Sequence, residues 1–142
     1  MDALVHIKGA KLVTDVYGRW PTFHDAEVLR IVLDRGTSVD GPTLAMDIRT
    51  FEMTNETDAK GYIILRNEKV VSFRFVSVTD LELGDFNHQN VLFDLKIHCV
   101  GEEGSDTHFD VSLHPSHGVS ALFRCREAVV QTICDFRPDS RE

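Results

Sequence analysis

From residue 27 to residue 136 apolar side chains recur at every second position, in runs separated by turns too short to hold a helix. Consecutive strands with no crossover helix between them must pair antiparallel, because a parallel connection needs a dozen or more residues to return. The fold expected is therefore mainly β: an antiparallel sandwich or strongly bent sheet of seven to eight strands, with one short N-terminal helix. No linker, repeat or low-complexity tract interrupts the chain, and 142 residues can bury a self-sufficient core, so residues 1–142 read as one β-rich domain.

The helix is expected over Ala10 to Tyr17, where Val13, Val16, Tyr17 and Trp20 share one face at helical spacing and Gly18 and Pro21 follow as stop signals. Leu29, Ile31 and Leu33 then begin the period of two. Leu44, Met46 and Ile48 continue it, with a phase change near Arg49-Thr50 that hands the inner face to Phe51 and Met53. Thr54 to Lys60 reads as a loop. Tyr62 to Leu65 and Val70 to Val78 read as two strands joined by a hairpin at Arg66 to Lys69, and Leu81 to Phe86 as a crossing segment. Val91, Phe93, Leu95, Ile97 and Cys99 form the clearest strand, followed by an acidic turn over 101–106. Phe109, Val111 and Leu113, then Val119, Ala121, Phe123 and Cys125, point inward on either side of a turn at His114 to Gly118. Val129 to Phe136 is the last strand, and the tail from Arg137 is polar.

Charge narrows the partner class. Fifteen Lys and Arg against 23 Asp and Glu give a formal net charge of -8, which repels phosphate backbones and favours a basic protein partner. No apolar run approaches the roughly 20 residues that span a bilayer. Three cysteines, Cys99, Cys125 and Cys134, make no CxxC pair and an odd count, so reduced thiols and a cytoplasmic setting are expected.

The densest chemistry lies at the corner between helix and first strand. His24, Asp25 and Glu27 place an imidazole and two carboxylates within four residues, a set from which a metal site or acid/base pair can be built; a metal-dependent hydrolase is the enzymatic reading. The simpler reading is structural, with Asp25 closing a turn and His24 tying the corner. If the first strand begins early, Asp25 and Glu27 share the inward phase of Leu29 and Ile31 and must reach the rim. Trp20 is expected to be substantially buried. A second polar cluster, Asp85, Asn87, His88, Gln89 and Asn90, leads into the clearest strand and is kept as a binding candidate. His114 and His117 sit in a turn without a third ligand, and no P-loop, GxGxxG or nucleophile elbow is present, so neither cofactor nor catalytic residue is assigned.

Trp20-Pro21-x-Phe23-His24-Asp25-Ala26-Glu27-Val28, with Phe86-Asn87-His88-Gln89-Asn90-Val91 and Phe123-x-Cys125, resembles the immunity protein 50 family of bacterial polymorphic-toxin systems. The resemblance spans most of the chain. It implies a non-enzymatic cytoplasmic protein that binds and neutralises a cognate toxin, and it carries over no catalytic or contact residue; the binding candidates His24, Asp25, Glu27, Asp85, Asn87, His88, Gln89 and Asn90 come from the two polar clusters themselves. A scaffold that oligomerises through its sheet edges is the remaining reading.

Overall fold

The computed structural model describes residues 3–37, 39–101 and 107–137. Two short helices, α1 (Ala3–His6) and α2 (Ala10–Tyr17), precede β1 (Glu27–Asp34), β2 (Thr43–Thr57), β3 (Ile63–Val76), β4 (Thr79–Gly84), β5 (Val91–Val100), β6 (His108–His117), β7 (Ser120–Cys125) and β8 (Glu127–Asp135). All eight strands join one antiparallel sheet in the order β4-β7-β6-β5-β1-β2-β3-β8, which does not close into a barrel. The expected bent sheet is present, with α1 as a second short helix. Within the strand ladder β1 and β5 share one register pair, Glu27 with Val91, so the sheet bends sharply there. Its two four-stranded halves face each other across one core.

Aromatic rings knit that core. Trp20, Phe23 and Phe73 meet edge to face at 5.6, 5.8 and 6.1 Å between centroids; Phe73 stacks on Phe75, and Phe75 meets Phe123 of the opposite half at 5.1 Å. Each such pair adds about 0.5–1.5 kcal/mol beyond its buried area. Helix α2 ends where expected, at Gly18, and buries Ala10 and Val13 against the sheet. Trp20 is largely, though not fully, buried, in line with the expectation for it: the ring rests on Phe23 and Phe73 with one side facing a surface groove. Trp20→Ala should therefore cost about 2 kcal/mol in a denaturant titration, below the 3–5 kcal/mol typical of a fully enclosed ring.

Bulges explain where the period of two misleads. In β1 an extra residue at Leu29 shifts the register, so the inward set before it is Ala26 and Val28, both fully buried, and after it Ile31. Asp25 and Glu27 consequently lie out of the inward phase assigned to them, and Leu33 is 53% exposed. A bulge between Leu92 and Asp94 does the same in β5: Leu92 is buried, Phe93 faces solvent, and Leu95 resumes the inner face. The phase change expected in β2 does not occur: the register shifts between Thr50 and Glu52, but the extra residue lies in β3 between Arg66 and Lys69, so β2 keeps its phase and Met53 is exposed, not inward.

The largest correction concerns Thr54 to Lys69. No hairpin forms at Arg66 to Lys69; β3 runs unbroken through it, β2 extends to Thr57, and the chain reverses at Asp58 to Tyr62, where the Asp58 carboxylate accepts the Lys60 and Tyr62 N–H groups. The result is a two-stranded arm with Met53, Tyr62 and Ile63 exposed. Leu81 to Phe86, expected as a crossing segment, instead contributes Leu81 to Gly84 to the edge strand β4. Most of the acidic turn over 101–106 and the end of the polar tail lie outside the described residues. Inward phases of β6 and β7 match the sequence reading, with Phe109, Val111, Leu113, Val119, Ala121, Phe123 and Cys125 all buried, but the turn expected over His114 to Gly118 is shorter: β6 runs on through His117, held by its pairing with β5.

Burial of Cys125 has a consequence that can be measured. Desolvation, and secondarily the Asp110 carboxylate, push its thiol up to about 12. An unfolded thiol ionises near 8.5, so above that pH the unfolded state gains from ionisation while the folded state retains its proton. The contribution is intact below about pH 8 and is lost as pH rises toward about 12. Urea unfolding at pH 8 and pH 10.5 under reducing conditions should show a stability loss that Cys125→Ala diminishes.

Candidate functional site

Residues 22–28 and 90–95 run side by side, and this seam connects the two polar clusters of the sequence, one toward each end. Its backbone bonds are Leu95 N–H to the Thr22 carbonyl at 3.1 Å, Asp25 N–H to Leu92 at 2.9 Å, Leu92 N–H to Ala26 at 2.8 Å, and Val28 N–H to Asn90 at 2.8 Å. The first cluster sits at its start and the second at its end.

At the corner the chain turns by an unusual route, with Phe23 at φ 63° and Asp25 at φ 65°, both left-handed. Such a conformation costs a non-glycine residue roughly 1–2 kcal/mol, least for Asp, and burial of the Phe23 ring offsets it. His24 lies between them and points outward. Its Nδ1 is 2.9 Å from the Phe93 carbonyl oxygen, its ring meets Phe93 edge-on at 5.3 Å, and its Nε2 is 3.6 Å from the Asp25 carboxylate. Glu27 opens β1, half-buried, opposite Arg49 of β2. Among the described residues no three His, Cys, Asp or Glu side chains come together as a set that can hold a metal ion. The hydrolase reading therefore has no support in this geometry.

The second cluster divides into two kinds of residue. Asn90 is 3% exposed and its amide is fully engaged: Oδ1 accepts the Asn87 N–H at 3.0 Å and the Val119 N–H at 3.1 Å, while Nδ2 donates to the Asn87 carbonyl at 2.7 Å and, more weakly, to the Val28 carbonyl at 3.5 Å. It binds the seam to the β6–β7 turn. Asn87 shapes its own loop, donating to the Asp85 carbonyl and accepting the Gln89 N–H. Asp85, Phe86, His88 and Gln89 are exposed. His114 and His117 are exposed as well, and His114 Nδ1 lies 2.8 Å from the Asp94 carboxylate.

Two surfaces escaped the sequence reading. A groove of about 550 Å³ separates the corner from the base of the β2–β3 arm, lined among others by Trp20, His24, Phe51, Glu52, Met53 and Arg66. Tyr17 forms part of its wall; its hydroxyl donates to the Asn67 carbonyl at 2.7 Å, and burial, followed by the Glu52 carboxylate, raises its pKa well above the ordinary phenol value. The other surface is the outer edge of β4. A signal for it existed, since Thr79 to Phe86 carries Asp80, Glu82 and Asp85 and no cation.

Comparison with known proteins adds one finding. A family model described as Immunity protein 50 matches residues 9–135, and so takes in both polar clusters and all eight strands. No curated protein matches the chain, and no solved structure does.

Proposed function

The chain belongs to the immunity protein 50 family, and on that premise we propose that it binds a cognate bacterial polymorphic toxin in the cytoplasm and blocks it by occupation, without catalysis. Family membership is the observation that carries this reading. The formal net charge of -8 supports it, because an acidic protein associates quickly with a basic partner through long-range attraction. The partner is then a toxin with a basic binding surface, as enzymes that act on nucleic acid commonly have. Neither polar cluster needs a cofactor to serve as a contact surface.

Co-expression tests the proposal. Cells producing the toxin encoded beside this gene should survive when this chain is present and die when it is absent. Death in both cases, with the chain demonstrably folded and soluble, would remove the reading for that pair.

A further inference from the structure

The sheet has two edges, β4 and β8, and the chain treats them differently. The start of β8 is covered by the protein's own N-terminal segment: the Lys8 N–H donates to the Ala128 carbonyl at 3.0 Å, and the Val130 N–H donates back to the Lys8 carbonyl at 2.7 Å. The approach is so close that a Cβ at position 9, where Gly9 stands, would lie 2.3 Å from the Val130 carbonyl oxygen. β4 pairs with β7 on one side, and among the described residues no strand pairs with its other side. An open edge presents N–H and C=O groups to any extended chain that fits.

The side chains around β4 define what fits. Leu83, Phe86 and Leu122 are exposed, Leu122 standing opposite Glu82 in the ladder. Between β4 and the end of β1 lies a groove of about 390 Å³ whose walls include Leu33, Pro42, Val78 and Leu81. Asp80, Glu82 and Asp85 rim the strand, which carries no Lys or Arg from Thr79 to Phe86; the cations nearest them are Arg124 of β7, beside Asp80 and Glu82, and Arg35 in the groove wall. A second copy of β4 laid along the first would bring these carboxylates against their own equivalents, and like charges across a strand pair are destabilising. A strand rich in Lys and Arg meets them favourably.

We propose that β4 is the docking edge for the toxin, which adds a strand there, seats apolar side chains in the groove beside Leu33 and Leu81, and places cations against Asp80, Glu82 and Asp85. This inference rests on the toxin-binding reading above and supplies its surface and mode. The short, bulged, acidic form of β4 resists self-pairing while leaving a basic strand free to dock.

The test uses a catalytically inactivated form of the toxin encoded beside the gene. Its affinity is measured by calorimetry for the wild type and for the double variant Asp80→Lys, Glu82→Lys, and hydrogen exchange is followed in the wild-type complex. The double variant should bind about 100-fold more weakly, with a reduced salt dependence of association, and the amides of residues 79–84 should exchange more slowly in the complex. If the wild type fails to bind, the toxin-binding reading itself falls. If the wild type binds, the reversed variant binds equally well and the β4 amides exchange as in the free protein, then the docking edge is elsewhere and only this inference falls. Protection of β4 in concentrated free protein that scatters light as a dimer would also overturn it, by giving the edge to a second copy. Should the variant fail to fold, the exchange measurement on the wild type decides.

Discussion

Gly118→Ala is expected to melt far below the wild type, with a loss of about 3–4 kcal/mol, since a left-handed alanine costs roughly 1–2 kcal/mol and forced overpacking a further 1–3. Gly118 has φ 81° and lies against the loop that precedes β5, where an added Cβ would sit 2.3 Å from the Gln89 carbonyl oxygen and 2.6 Å from Asn90 Oδ1. Neither atom belongs to a flexible side-chain end. The Gln89 carbonyl is backbone, and the Asn90 amide is held by four hydrogen bonds, so the turn must open or the seam must move. Thermal unfolding followed by circular dichroism gives the answer directly. A variant that melts within a few degrees of the wild type would show that this junction yields easily, contrary to the packing described.

Asn90→Leu tests the same junction from its polar side and should cost about 3 kcal/mol, because a buried donor or acceptor left unsatisfied costs about 1–3 kcal/mol. The leucine fills similar space but strips partners from the Val119 and Asn87 N–H groups and from the Asn87 carbonyl. Since Gly118 and Asn90 are in contact, the double variant should lose less than the sum of the two. Urea titration of the three proteins measures the coupling. Strict additivity would mean that the two residues support separate parts of the fold.

These expectations concern a residue that the sequence presented as a binding candidate, and the difference is instructive. A run such as Asp85 to Asn90 shows polarity but not burial; only the meeting of residue 90 with residues 28 and 119, both distant in the chain, decides that Asn90 serves the fold while Asp85, His88 and Gln89 face solvent. The β6–β7 pair was legible because no bulge interrupts its alternation. The phases of β1 and β5 were not, since one extra residue at Leu29 and another near Phe93 reverse parity without altering composition. Arg66 to Lys69 looked like a turn for a related reason. Its polar side chains have partners brought from elsewhere: Arg49 donates to Glu68 at 2.8 Å, Asn67 Nδ2 donates to Glu52 at 3.2 Å, and Lys69 pairs with Asp135. With those partners in place a strand accepts what a propensity scale assigns to a loop.

The corner motif Phe-His-Asp-Ala-Glu-Val, which carries the family resemblance, was legible as important and illegible as to cause. Its glycine-like backbone at Phe23 and Asp25 leaves no trace in hydrophobic periodicity. Ala26 and Val28, fully buried at the seam, account for the small and β-branched residues, and the outward His24 and half-buried Asp25 remain available to a partner.

Stoichiometry separates neutralisation by occupation from neutralisation by chemistry. Purified toxin, assayed for its own activity, is titrated with this protein, and the mass of the toxin is checked at the end point. The account predicts that activity falls linearly to zero at one equivalent, that both chains elute together, and that the toxin is recovered unmodified. Complete inactivation by a small fraction of an equivalent, with the toxin cleaved or altered in mass, would contradict it and make this protein an enzyme.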